Sequence, residues 1–583
     1  MLDPRIYRAA FIPVLFVLVL VGFSLRDQPR GMTTALAPAA FDEAAALAEL
    51  ERLAQAAPTR RPGSPGDQLV AARVEQALRA SGFRVTVRRA RRETVDGPRD
   101  VATVIGERTG FSSRRIMLVA QRDAAGAGAR AQLSATAALL ELARVLGGRT
   151  LDRTLTLVST SGGPEAVEAL ARDPGGPVDA VIVLGDLAGE RLVRPVVVPW
   201  SDDARAAPVQ LRRTVEAAVR REGGGEPGGA SPALQFVRLA FPLTLSDQGA
   251  FNGRGIPAVL LSAGGERPPA ADAPVSRARL GAFGRAVLRS VSALDRGPDV
   301  AAPEPYVLIE RKLLPAWPVR LLGIALILPA LLAAVDGFAR VRRRGEPVAR
   351  WCGWLAACAL PFALGALLAI GLRAVGLLDA GPPGAGAAAA LPVDGAAVAA
   401  LAAVLVAIAL AWVGLRPLVA RWLGGDGDVA APGAAAAVAL ALCALAVAIW
   451  VANPYAALLV IPALHLWLLM VAPEARLHPL ARLGVYALGL LPPLLVAVAY
   501  ARAFALDPLE LAVLGLRLVA SGAIGPLAAL GWALLLGCAA AALAVIVRTL
   551  RGGPESERPI TVRGPRTYAG PGSLGGTQSA LRR

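Results

Sequence analysis

The chain has 583 residues, 55% of them hydrophobic, a mean hydropathy of +0.53 and a formal charge of +17. That is too apolar for a chain built only of water-soluble domains. The positive charge rests on arginine, Lys312 being the single lysine, and no basic stripe interleaved with aromatics points to nucleic acid.

The cysteines (Cys352, Cys358, Cys443, Cys538) and histidines (His465, His478) all lie in or beside apolar stretches. Residues 31–314 therefore contain neither type, which excludes a disulfide framework, a cysteine–zinc site and any Ser-His-Asp or Cys-His device there.

Residues 9–24 are apolar with Arg5 and Arg8 before them, and read as an uncleaved first span within an N-terminal anchor, 1–30. An extracytoplasmic domain is expected over 31–300. Its predicted elements are a helix over 41–57, a Pro/Gly turn at PTRRPGSPGD, a helix over 68–80 and a half-buried strand in FRVTVRRARR. VATVIGER and RRIMLVAQ are the next strands. The glycine-rich loop GAGAR and a helix over 131–146 follow, and then TLTLVSTS, a helix through Ala171 and VDAVIVLGDLAG. A basic helix at 208–222, the loop GGGEPGG, the stretch SDQGAFNGRGIPAVLLSAGGE and a helix near 276–294 complete the domain. Strands and helices alternating at this spacing predict an α/β fold, a mixed, mostly parallel sheet flanked by helices.

Residues 301–318, rich in proline at their start, read as a linker to an all-α polytopic membrane domain over 319–550. Seven spans are expected, near 319–337, 352–372, 396–415, 433–452, 456–472, 483–501 and 527–548, with 509–526 as an additional interfacial or re-entrant helix. Arg-rich loops alternate with GPPGAGAAAALPVDG (381–395), which has no Arg or Lys. The alternation predicts a plasma-membrane protein with basic loops and both termini cytoplasmic, and residues 31–314 outside. The Gly-, Pro- and Ser-rich tail, 551–583, is expected to be disordered. His465 reads as a packing residue, His478 as solvated, and Arg373 as snorkelling from a span end.

The stretch RRIMLVAQRDAAGAGARAQLSATAALLELARVL (114–146) resembles the zinc aminopeptidase family of secreted aminopeptidases, glutamate carboxypeptidase and the transferrin receptor ectodomain. In that family a strand ends in His-x-Asp, followed by Gly-Ala-x-Asp-x-x-Ser-Gly and a helix. Gln121 occupies the His position and Asp123 remains. Gly128 and Ala129 remain, the bridging Asp falls on Ala131, and Ser134 is kept. Three further segments match: TSGGPEA, where the family's Glu-Glu pair falls on Gly162 and Gly163; VLGDLAG, where Asp186 matches a ligand; and SDQGAF, where Asp247 is kept and the ligand His is Gln248. The resemblance covers about residues 41–295. It implies zinc as cofactor and a glutamate base, yet at these positions most ligands and the base are lost, because a Gln carbonyl binds zinc poorly.

The expectation is therefore no cofactor and no catalytic residue, with Gln121, Asp123, Ala131, Gly163, Asp186, Asp247 and Gln248 as degenerate cleft positions. The domain is expected to act as a binding or scaffold module with a protein or peptide partner. Two alternatives stay open. One is a residual metal-dependent hydrolase, with Glu165 near the site after a two-residue slip. The other is a transporter or lipid-handling protein with an accessory ectodomain. The layout of one anchor, an aminopeptidase-like domain and several spans is also similar to that of the GPI-attachment subunit of GPI transamidase.

Overall fold

The structure is a computed structural model that describes residues 4–34, 40–124, 130–345, 348–424, 432–471 and 478–551. Gly128 and Ala129, and the tail expected to be disordered, lie outside these residues apart from Arg551.

Ten strands occur among the described residues: β1 (Arg26–Asp27), β2 (Arg84–Thr94), β3 (Gly97–Arg108), β4 (Ser112–Gln121), β5 (Arg153–Thr160), β6 (Val178–Leu184), β7 (Val197–Val198), β8 (Ala258–Leu261), β9 (Tyr306–Ile309) and β10 (Lys312–Pro315). Seven form one sheet in the order β2-β3-β5-β4-β6-β8-β7. Its centre, β5, β4, β6 and β8, is parallel, while β2, β3 and β7 join antiparallel.

The parallel strands are buried on both faces, which is why they read as unbroken apolar runs. In β4, Ile116, Leu118 and Ala120 face a core shared with helices Glu43–Ala56, Pro65–Ala80, Ser134–Gly147 and Arg277–Arg296. Met117 and Val119 face the opposite core, with Val167 and Leu170 of helix Pro164–Arg172 and Phe251. The edge strand β2 alternates exposed and half-buried residues, and its five arginines guard an open edge against pairing with other chains.

Residues 301–318 do more than link. β9 and β10 form a hairpin, and β10 pairs with β1, just past the N-terminal helix Ile12–Phe23. The Tyr306 hydroxyl donates to the Ala207 carbonyl at 2.6 Å, tying this small sheet to the α/β domain.

Beyond it, six helices among the described residues are long and apolar enough to cross a membrane: Ala316–Arg343, Val348–Ala374, Gly395–Trp422, Gly433–Ala452, Leu480–Ala503 and Pro526–Arg548. They correspond to all the expected spans but that at 456–472, where the apolar helix Pro454–Val471 is shorter. Residues 508–520 form an amphipathic helix with a capping box of Asp507 and Glu510. His465 is hydrogen-bonded on both ring nitrogens, to Tyr7 at 2.6 Å and to the Leu326 carbonyl at 3.0 Å, and so packs the N-terminal helix onto the bundle.

Candidate functional site

At the carboxyl ends of the parallel strands, where open α/β sheets place their sites, the structure has a cavity of ≈ 610 Å³. Gln121, Asp123, Gly162, Gly163, Asp186 and Asp247 all line it. Four separate stretches thus deliver the positions singled out in the sequence to one place: the end of β4, the turn after β5, the end of β6 and the turn before Gln248–Asn252. Ala131 is fully buried and is not among the lining residues, although Gln132 and Ala135 are.

Gln248 does not face the cavity. Its amide donates to the Trp200 carbonyl at 3.1 Å and to Thr244 Oγ1 at 2.9 Å. Glu165 is likewise absent from the wall, since its carboxylate accepts from the Glu93 backbone N–H at 2.9 Å on the surface near the β2 turn. Gly162 and Gly163 have φ of +96° and +67°, and a Cβ on Gly162 would lie 3.1 Å from Val101. A glutamate at either position would strain the backbone, so the local conformation itself is built for glycine.

The aspartates sit in contrasting surroundings. Asp186 Oδ1 accepts from the Ala188 and Gly189 backbone N–H groups at 2.9 and 2.8 Å, and from the Ser134 hydroxyl at 3.4 Å. Burial still outweighs those bonds and raises its pKa. For Asp123, burial and then the neighbouring Asp67 carboxylate push the pKa up to about 6, against the pull of Arg122. Its Oδ2 accepts a long bond from Gly162 N–H at 3.4 Å, while Oδ1 has no partner. Asp247 is pushed up to about 7 by burial, Asp123 and Asp202. Below the floor, Arg122 pairs with Asp67 at 2.7 Å, and Asp67 also accepts from Gly63 N–H and the Ser161 hydroxyl at 2.9 and 2.8 Å.

A two-zinc centre needs imidazoles or carboxylates converging within bonding distance. Among the described residues no group of three or more His, Cys, Asp or Glu side chains has that arrangement. Among the described residues at the compared positions, Gln248 is turned to the Trp200 carbonyl, Ala131, Gly162 and Gly163 carry no side-chain ligand, and Asp186 already accepts on Oδ1.

The roof of the cavity carries no motif legible in the chain. Pro382, Gly386, Ala387, Ala389 and Ala390, from the segment between two spans, line the same cavity. The short helix Ala385–Ala390 rests on the α/β domain so closely that a Cβ on Gly386 would come within 2.5 Å of the Leu245 carbonyl oxygen. Arg517, buried on helix Pro508–Ala520, fixes this segment. Its guanidinium donates to the carbonyls of Asp379, Ala388, Leu391 and Pro392 at 3.2, 3.3, 2.9 and 2.7 Å. Arg373 adds a bond to the Gly381 carbonyl at 3.1 Å.

Other contacts align the same side of the bundle with the α/β domain. Asn453 donates to the Leu239 and Ala240 carbonyls at 2.7 and 3.1 Å, and Arg267 to the Ala505 carbonyl at 2.9 Å. The buried pair Arg238–Glu266 lies at 2.6 Å, with Arg238 over the rings of Tyr500 and Phe504.

The α/β domain is similar to several solved bacterial structures. A leucine aminopeptidase precursor from Bacteroides thetaiotaomicron is 18% identical with a TM-score of 0.36, over 44% of this chain and 98% of that one. Porphyromonas gingivalis glutaminyl cyclase is 18% identical with a TM-score of 0.34, over 43% and 98%. A zinc aminopeptidase from Bacillus subtilis is 11% identical with a TM-score of 0.36, over 45% and 98%. No family model and no curated protein matches the chain.

Proposed function

We propose that this is a polytopic membrane protein whose α/β domain is a degenerate aminopeptidase-type module, catalytically inactive and used for binding. One observation carries the reading. The segments that would hold a metal pair and a base converge on one cavity, yet they present Gln121, Gly162 and Gly163 to it where ligands and base would stand, and Ala131 is buried. The cavity stays open and roofed rather than collapsed, which suits a retained binding role.

The span ends that touch the α/β domain (375–394, Asn453 and Ala505) all fall on one side of the bundle. Arg340, Arg342, Arg343, Arg421, Arg482 and Arg548 sit at the opposite ends of their helices. This asymmetry supports an extracytoplasmic α/β domain. The overall layout is like that of the GPI-attachment subunit of GPI transamidase, a likeness of architecture that brings no substrate with it.

The test is made on the full-length protein in detergent. Elemental analysis is expected to find no stoichiometric zinc, and aminoacyl substrates are expected to stay intact with zinc, manganese or cobalt added. Stoichiometric metal together with metal-dependent aminoacyl release, abolished by Asp186→Ala, would overturn the reading.

A further inference from the structure

We propose that the outer strands of the α/β sheet carry a second binding site, apart from the cleft, for an acidic segment of a partner protein held in extended form. The site is a groove between β2 and β3 on one side and helix Pro164–Arg172 with the turn after it on the other.

Alternation along β2 sorts its side chains onto two faces. Val85 and Val87 pack against the core on one side of the sheet. Arg84, Thr86, Arg88, Ala90 and Arg92 take the other face, with Ile105, Thr103 and Val101 of β3 opposite Thr86, Arg88 and Ala90. Helix Pro164–Arg172 runs alongside in the reverse direction, since Glu165 meets Glu93 and Asp173 meets Arg88. Two hollows lie in line along this groove. The larger, ≈ 330 Å³, has Arg88 and Arg92 at its rim and Ala90, Val101, Ala166 and Leu170 in its wall. The smaller, ≈ 80 Å³, is bounded by Arg84 and Arg88, with Thr86, Ile105 and Thr156 in its wall. Neither shares a lining residue with the cleft, so the proposal stands whether or not the cleft holds metal.

Five arginines line the groove against Glu107 and Asp173, an excess of positive charge. Glu107 is divided between Arg84 and Arg115. Asp173 pairs with Arg88 at 3.1 Å in the open, its side chain 73% exposed. Arg172 reaches Glu168 only at 3.9 Å, and Arg254 shares that carboxylate. Arg92 has no ion pair among the described residues. In the smaller hollow the Thr156 hydroxyl, 1% exposed, and Arg115 Nε have no hydrogen-bond partner. Both are donors, so the hollow lacks an acceptor.

Spacing points to the class of ligand. Arg84, Arg88 and Arg92 recur every four residues, about 13 Å apart along the strand. An extended peptide has the same repeat, so a carboxylate at every fourth residue would meet all three guanidinium groups. The side chains midway between those carboxylates would enter the hollows, an apolar one in the larger and a small acceptor such as serine in the smaller. A bilayer does not match this row. β2 runs in the same direction as β5, whose carboxyl end faces the roof, so the arginines lead away from the membrane and a flat surface would meet only Arg92. No aromatic side chain lines either hollow for a nucleic-acid base to stack on.

The experiment is fluorescence anisotropy on the full-length protein in detergent and about 0.1 M salt. The probes are labelled Glu-Thr-Leu-Thr-Glu-Thr-Ser-Thr-Glu and the same sequence reversed. One of them is expected to bind with a Kd of about 100 µM or tighter. It should bind at least about tenfold more tightly than the scrambled Glu-Glu-Glu-Thr-Leu-Thr-Ser-Thr-Thr or the version with Lys for Glu. Arg92→Glu should weaken binding at least about tenfold, and changing one terminal Glu of the peptide to Lys should restore it, which shows that the variant is folded. Ala169→Trp, which fills the larger hollow without changing charge, should weaken binding by a similar factor. Equal binding of the scrambled peptide, no binding of either probe at millimolar concentration, or binding that survives both variants would overturn the proposal. So would displacement of the probe by oligothymidylate, or by phosphatidylglycerol in the micelles, as effective as that by unlabelled peptide.

Discussion

The two cores of this protein are built on different rules. The α/β domain is filled with large aliphatic and aromatic side chains, such as Leu50, Leu139, Ile182 and Phe283, against the sheet. The membrane bundle packs a few large rings, such as Trp351 and Trp467, among many small side chains: Ala434, Ala435, Ala437, Cys443 and Ala446 on one helix, and Cys538, Ala539, Ala541 and Ala542 on another. In water, burying a large apolar surface is itself the driving force. In lipid it is not, so helices gain by approaching closely over small residues. How the two parts face one another rests on apolar clusters shared between them, such as Leu239, Ala240 and Val307 with Val319 and Tyr455, and on polar side chains that grip backbone carbonyls across the junction: Asn453, Arg267 and Tyr500, whose hydroxyl donates to the Phe241 carbonyl.

The comparison can be broken at each of its parts. Leu139→Ala should open a cavity in the α/β core and cost about 3 kcal/mol, read as a lower unfolding temperature of that domain. Arg517→Ala strands the carbonyls it serves and should cost on the order of 2 kcal/mol. It should also expose residues 381–391 to limited proteolysis while leaving the α/β domain folded; an unchanged cleavage pattern would count against a seated roof. Gly537→Leu should cost about 2 kcal/mol through overpacking, because any Cβ there lies 2.7 Å from Ala359, and thermal unfolding in detergent reads it.

The smallest effect is electrostatic. Burial holds Asp123 at about 6 and Asp247 at about 7, both above the ordinary 3.8. Ionising them opposes folding, so the stability they allow is complete below about pH 4 and is lost as pH rises through 6 to 7. Asp247→Asn should therefore be more stable than the parent at pH 8 and indistinguishable from it near pH 4, as followed by thermal unfolding across that range.

Much of the α/β domain could be read from the chain because its physics is periodic. The double-sided burial of β4 shows as a continuous apolar run, and helix Ser134–Gly147 as a helical stripe just after it. The meeting of Gln121, Asp123, Asp186 and Asp247 followed from motif order. Other features left no such trace. The side chain of Gln248 is directed by partners at Trp200 and Thr244, 48 and 4 residues away. Asp202 lies in an irregular stretch with no motif around it. The roof is a run of alanines and glycines whose role comes only from what lies beneath it, and Arg517 reads as one charge on an amphipathic helix until its carbonyl partners, 125 to 138 residues away, are seen.

The pairing of β1 with β10 brings together the two points where the α/β domain leaves and rejoins the helical bundle. A domain closed at its base in this way is not a bob on a string. Its two chain crossings are held side by side, so a motion of the domain against the bundle has to carry both together.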